Sequence, residues 1–231
     1  MSEKPVVLHF SDILCVWAYV SNIRLERLIE KYADRVEFEL RYCSVFPDAV
    51  GKIETSWAGR GGFAGYGDHV RKVAAEFDHV EVHPDVWSKT RPASSTAPHM
   101  LLKAAQLAER EMGLHADTPL TEHPSYRLSW ALRTAFFRDG RDIADWQVQR
   151  ECAEGVGFDT QALEGHLRSG AAAAALDRDI LAAQKASVTG SPTFIMNGGR
   201  QVLYGNVGFK LLDANVEELL RMRGPGEASW C

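Results

Sequence analysis

The sequence predicts an α/β fold built from a split sheet: it reads β-α-β at its start, β-β-α at its end, and mostly helix between. Three observations carry this. Pro5 to Phe10 (PVVLHF) is an apolar run rich in β-branched residues, bounded by polar ones, as a buried strand is. From Cys15 to Tyr32, apolar Ile23, Leu25, Leu28 and Ile29 recur at helical spacing among Arg24, Glu26, Arg27 and Glu30. Val36 to Val45 (VEFELRYCSV) then alternates apolar and polar side chains with the period of a strand. A parallel pair joined by a right-handed crossover helix satisfies all three.

The remaining elements follow in order. Ser11 and Asp12 offer capping oxygens ahead of the first helix. Gly59, Gly61, Gly62, Gly65 and Gly67, with Trp57, Phe63 and Tyr66, predict a glycine-rich aromatic loop, and residues 81–98 a Pro- and Ser-rich irregular stretch. Helices are expected at about 67–78, 97–112, 124–138 and 142–155, and a long one over 160–186. The last includes the Ala171–Ala175 run, because alanine is the best helix former. Thr193 to Met196 is a β-prone apolar strand. Asn197-Gly198-Gly199 turns the chain, Gln201 to Tyr204 returns it, and Leu211 to Met222 closes as an amphipathic helix stopped by Gly224-Pro225-Gly226. Because strands from both ends complete one sheet, the expected division is discontinuous. Residues 1–48 and 187–231 form one domain, and 49–186 form a helical insertion.

Composition excludes several function classes. With 231 residues, 45% hydrophobic and 25% charged, the chain has the makings of a globular core. Lys plus Arg is 26 against 31 Asp plus Glu, a net charge of −5, which argues against a nucleic-acid partner. No run reaches the ~18 apolar residues of a membrane span, so no membrane partner is expected. Met1 to Pro5 lacks the basic start and apolar stretch of a secretory leader, so the cytoplasm is the expected compartment. No metal is expected: His79, Glu81 and His83 supply too few ligands, without zinc-type cysteine spacing. Gly59 to Ala64 formally fits G-x-G-x-x-G/A, but no strand precedes it, so a dinucleotide fingerprint is set aside.

Two segments carry chemistry. Cys15 stands where the first strand ends and the first helix begins, the place where open α/β sheets gather ligands. A helix N-terminus favours thiolate over thiol there, so a lowered thiol pKa is expected. The second segment is Gly190-Ser191-Pro192, a proline opening an apolar strand. It is compatible with a plain strand start or with a cis Ser191–Pro192 bond beside the site. Cys43 follows the second strand, Cys152 reads as a packing residue in the insertion, and Cys231 is terminal.

Together, Asp12, Cys15 and Trp17 (D-x-x-C-x-W), with Gly190 and Pro192 in the β-α-β, helices, β-β-α order, resemble the DsbA-like thioredoxin-fold superfamily over essentially the whole chain. That resemblance implies a thioredoxin-like fold with a large helical insertion and a thiol-disulfide oxidoreductase acting through Cys15. It also implies that Asp12, Trp17, Ser191 and Pro192 serve substrate or glutathione. Where redox members carry C-x-x-C, this chain has Ala18, so Cys15 could attack a disulfide but would lack the adjacent thiol that releases it. A monothiol cycle closed by glutathione, or by Cys43 as resolving thiol, is one expectation.

The kappa-class glutathione transferases and 2-hydroxychromene-2-carboxylate isomerases share the fold, lack C-x-x-C, and imply a glutathione-dependent transferase or isomerase. There Ser191 would pair with the peptide-like part of glutathione, and Trp57, Phe63, Tyr66 and Trp87 would wall an apolar substrate. A non-catalytic binding module is the third reading. No tightly bound cofactor is expected; glutathione is a co-substrate, the partners are small thiols, disulfides or peptide-like molecules, and the relatives suggest a homodimer.

Overall fold

The computed structural model describes residues 4–114 and 118–221. His115, Met222, the stop at Gly224-Pro225-Gly226 and Cys231 lie outside the described residues. Strand β1 (Val6–Ser11), helix α1 (Val16–Tyr32) and strand β2 (Glu37–Tyr42) open the chain. Helices α2 (Ala49–Trp57), α3 (Gly62–Ala74), α4 (Thr96–Glu111), α5 (Pro124–Phe137), α6 (Trp146–Gly155), α7 (Thr160–Arg168) and α8 (Ala171–Lys185) follow. Strands β3 (Thr193–Met196) and β4 (Gln201–Tyr204) and helix α9 (Phe209–Arg221) close it.

Among the described residues the strands form one sheet in the order β2-β1-β3-β4. β1 runs parallel to β2, with Val6 opposite Glu37, and antiparallel to β3, with His9 opposite Phe194. β3 and β4 form an antiparallel hairpin across the turn at Asn197–Gly199. The fold is thioredoxin-like, with helices inserted between β2 and β3, as the sequence predicts.

Each sheet face buries a different core. On one, Leu25, Leu28, Ile29 and Tyr32 of α1 and Leu212, Val216 and Leu219 of α9 pack on Phe38, Leu40, Phe194 and Met196. Fully burying each such side chain is worth about 1.5–3 kcal/mol. On the other, Phe10, Cys43 and Ile195 meet Ala183 of α8. Ile23, counted on the apolar stripe of α1, is instead half exposed; the buried stripe runs through Leu25, Leu28, Ile29 and Tyr32.

Two predicted elements differ. The glycine-rich segment is not a loop but the junction of two helices. α2 passes through a single 3-10 turn to Gly61, which takes the left-handed conformation (φ 87°), and α3 begins at Gly62. A side chain on Gly65 would collide with the Arg60 carbonyl, so glycine permits that close entry into α3. The long helix expected over 160–186 is two helices, because Gly170 breaks it at φ 78°. Asp145, which caps α6 by accepting from the Gln147 N–H, moves that helix start from the expected 142 to 146.

Candidate functional site

The turn between β1 and α1 is held from several elements at once. The Asp12 carboxylate is wholly buried and saturated by four donors. Its Oδ1 accepts from the Leu14 N–H (2.9 Å). Its Oδ2 accepts from the Val45 and Phe46 N–H groups (2.9 and 3.0 Å) and from the Ser95 hydroxyl (2.8 Å). The Asp12 N–H donates to Ser191 Oγ at 2.8 Å, and the Ile13 N–H to His99 Nε2 at 3.0 Å. Asp12, expected to meet a ligand, therefore braces the joint from inside the protein. Nor do Ser11 and Asp12 cap α1: the cap residue is Cys15 itself, with no side-chain bond to the helix.

Cys15 thus sits at the carboxyl end of the sheet on the first turn of α1. Its thiol donates to the Ser191 carbonyl at 3.1 Å, and the Ser191–Pro192 peptide is cis. Cys43 lies just past β2, its sulfur 3.9 Å from the preceding carbonyl, Gly190 O. The structure therefore gathers Asp12, Cys15, Cys43, Ser191 and Pro192 in one place. Trp17 is half buried, packed against the same apolar cluster as Cys15. Ala18, at the position of the missing second thiol, is buried and points its backbone N–H at the sulfur.

The expected lowering of the Cys15 pKa is corrected. Burial outweighs the helix terminus and raises it; Asp12 adds to the rise, while Ser191, the Ala18 N–H and Arg133 pull it down. Cys43 is likewise pushed up, by burial first and then by the charges of Asp12 and of a thiolate at Cys15.

The aromatics divide. Trp87 is fully buried among Phe46, Tyr66 and Phe136, ring centroids 5.2–5.7 Å away, and so fills core rather than walling a pocket. Trp57, Phe63 and Tyr66 are only partly buried. Tyr66 is close enough to Cys15 and Asp12 for their charges to reinforce burial in raising its pKa. Cations cover the outer rings: Arg60 over Trp57, Arg91 over Phe63 and Lys52 over Phe46, at 4.3–5.1 Å.

Sequence reasoning missed Ser95, His99 and Arg133. His99 on α4 is buried, stacked on Tyr42 and held neutral, its pKa lowered to about 4 chiefly by burial. Arg133 was readable as a charge on the apolar stripe of α5, beside Leu132 and Phe136. His79 and His83 are tied to separate backbone atoms, Val20 O and Asp85 N.

With the joint, the thiol and the cis-proline loop defined, comparison with known proteins becomes specific. The family model for the DSBA-like thioredoxin domain matches residues 6–217. The chain belongs to that family. It is 25% identical over 199 residues to the ClpXP adapter protein SpxH of Halalkalibacterium halodurans, covering 84% of this chain and 59% of that protein. The chain therefore spans about three-fifths of the length of that curated relative. Among solved structures, the cytosolic disulfide reductase DsbM of Pseudomonas aeruginosa matches with TM-score 0.63 at 18% identity, covering 92% of this chain and 98% of that one. A 2-hydroxychromene-2-carboxylate isomerase matches with TM-score 0.61 at 17% identity, covering 94% and 96%. Among the described residues, no helix of this DsbA-like chain is long and apolar enough to cross a membrane.

Proposed function

We propose that this DsbA-like chain is a monothiol disulfide oxidoreductase in which Cys15 is the nucleophile and glutathione the co-substrate that closes the cycle. The observation that carries it is the Cys15 sulfur, 3.1 Å from the carbonyl that precedes cis-Pro192, with Ala18 where a second thiol would stand. The Cys15 thiolate attacks one sulfur of a glutathione mixed disulfide, R–S–S–G. A Cys15–glutathione disulfide forms and R–S⁻ leaves. A second glutathione thiolate then attacks the glutathione sulfur, giving oxidised glutathione and returning Cys15 as thiolate. The substrate backbone pairs with Ser191 as a short added strand. DsbM is named as a disulfide reductase and has also been solved with GSH, which supports this choice of co-substrate and a cytoplasmic setting.

The test follows reduction of the glutathione–mercaptoethanol mixed disulfide, coupled to glutathione reductase. Turnover should vanish in Cys15→Ser and persist in Cys43→Ser. Turnover that survives in Cys15→Ser would sink the proposal, and loss in Cys43→Ser would transfer the resolving role to that thiol.

A glutathione-dependent isomerase or transferase is the second reading. What favours it is the partly buried Trp57–Tyr66 pair, centroids 5.2 Å apart, with Tyr66 in electrostatic reach of Cys15. An isomerase would convert an aromatic substrate catalytically in glutathione with no disulfide consumed. The likeness to SpxH favours a partner-binding module as the third outcome. In that case cellular function would survive Cys15→Ser and fail when the Gly190–Pro192 loop is altered.

A further inference from the structure

We infer that Arg133 is a positioning residue for Cys15: it clamps the β1–α1 joint to α5 and sets a positive charge against the sulfur. The inference deepens the proposed thiol chemistry and rests on it for biological meaning, though its test reads the thiol directly.

Arg133 is almost wholly buried. Its Nη1 donates to Asp12 O (3.2 Å) and Ile13 O (3.5 Å), and its Nη2 to Ser11 Oγ (3.1 Å). Asp12 O also accepts from the Cys15 N–H at 3.1 Å. One oxygen therefore joins the guanidinium to the nucleophile's own backbone. All three acceptors are neutral; among the described residues, no carboxylate pairs with Arg133.

A buried cation without a carboxylate is costly, and neutral donors could bond the same oxygens without that cost. Lys103 shows the usual arrangement: equally enclosed, it is paired with Asp179 at 2.8 Å. The Asp12 carboxylate of the same joint makes no hydrogen bond to Arg133, its oxygens accepting from Leu14, Val45, Phe46 and Ser95. Among the groups whose charge favours the Arg133 cation, a Cys15 thiolate comes first, ahead of Tyr42 and Asp12.

The charges around the sulfur agree. Asp12 on its own segment is negative. Cys43 beyond β2, Tyr66 on α3 and His99 on α4 are neutral at pH 7, since burial raises the first two and lowers His99 to about 4. Arg133 on α5 is the cation. Burial and Asp12 disfavour the thiolate, and Arg133 with the Ala18 N–H and Ser191 opposes them.

The experiment is iodoacetamide alkylation of the full chain, read at the Cys15 peptide by mass spectrometry from pH 6 to 10. It compares wild type, Arg133→Gln, Arg133→Met and Arg133→Lys. Gln keeps hydrogen bonding without charge; Lys keeps charge without the fork. Gln and Met should raise the apparent pKa by about one unit, slowing alkylation at pH 7 roughly tenfold, while Lys stays within about threefold of wild type. Equal slowing in Lys and Gln, or none in Gln, would make Arg133 a plain structural clamp and overturn the inference.

Should the neutral variants fail to fold, wild type alone decides. Anionic iodoacetate, measured against neutral iodoacetamide, should be favoured at Cys15 at least threefold over the same ratio at free glutathione. A ratio at or below that of glutathione overturns the inference. Because alkylation needs no turnover, a Cys15 that depends on Arg133 but reduces no disulfide would refute the proposed reaction and leave this inference standing.

Discussion

Cys15 and Cys43 sit over consecutive carbonyls of one loop, Ser191 O and Gly190 O, and are buried alike, at 7% and 5% exposure. Burial alone would make both inert. Their surroundings separate them. Cys15 has the first-turn N–H of Ala18, Ser191 and Arg133 working against its burial. At Cys43 the charges of Asp12, which acts on both thiols, and of a thiolate at Cys15 add to burial, against its own backbone N–H and Arg133. In this chain the two thiols are distinguished less by exposure than by which donors and charges converge on them.

The largest expected effect tests that contrast directly. Alkylation at pH 8 should label Cys15 first, with Cys43 at least about tenfold slower. Cys15→Ser should cut mixed-disulfide turnover by about a thousandfold or more, the scale seen when a nucleophile is removed, while Cys43→Ser stays near wild type. Cys43 labelling ahead of Cys15 would break the comparison.

The next effect is at Asp12, whose charge raises both thiols and whose oxygens anchor the joint. In Asp12→Asn one oxygen becomes an NH2 group facing N–H or O–H donors, and a buried bonding network is broken. The expected loss is about 4 kcal/mol in urea unfolding. Both thiols should react faster in the protein that remains folded. A loss under about 1 kcal/mol would show that the four donors find water as readily as carboxylate.

Much of this was legible in the sequence, for a physical reason. Strand and helix periods, the turn at Asn197–Gly199 and the placement of Cys15 and Pro192 are local signals, and local signals mark the strands, the helices between them and the candidate nucleophile. What was not legible depends on residues far apart in the chain. Asp12 looked like a ligand-facing carboxylate until Val45, Phe46 and Ser95 closed over it. The helix N-terminus suggested a lowered thiol pKa because the sequence shows the helix but not the burial. The glycines at 59–67 read as loop because composition does not distinguish a loop from a helix entered through Gly61.

His99 extends the comparison to pH. Its neutral Nε2 accepts the Ile13 N–H, and burial lowers its pKa from 6.5 to about 4. Between those values the unfolded chain holds the extra proton. Stability is therefore complete above pH 6.5 and falls as pH drops toward 4, by on the order of 3 kcal/mol. His9, lowered to about 3, adds a loss of the same sign. Urea midpoints at pH 7 and pH 4.5 measure the fall. His99→Gln keeps an acceptor oxygen without a titrating ring and should reduce the slope. Equal slopes in wild type and His99→Gln would place the pH response elsewhere.

Ser191→Ala should give the smallest effect and the sharpest one, because it separates two roles of a single residue. The carbonyl that accepts from Cys15 is untouched by the substitution, whereas the hydroxyl that accepts the buried Asp12 N–H at 2.8 Å is lost. Leaving that N–H unpaired costs about 1 kcal/mol. The hydroxyl also keeps a proton it can turn toward the sulfur, in line with the downward pull of Ser191 on the Cys15 pKa. Alkylation of Cys15 should therefore slow by about two- to threefold, a fraction of a pKa unit, while Cys43, which faces Gly190 O, keeps its rate. If both thiols slow together, the substitution has moved the whole 190–192 loop, and the difference between them belongs to the backbone rather than to the Ser191 side chain.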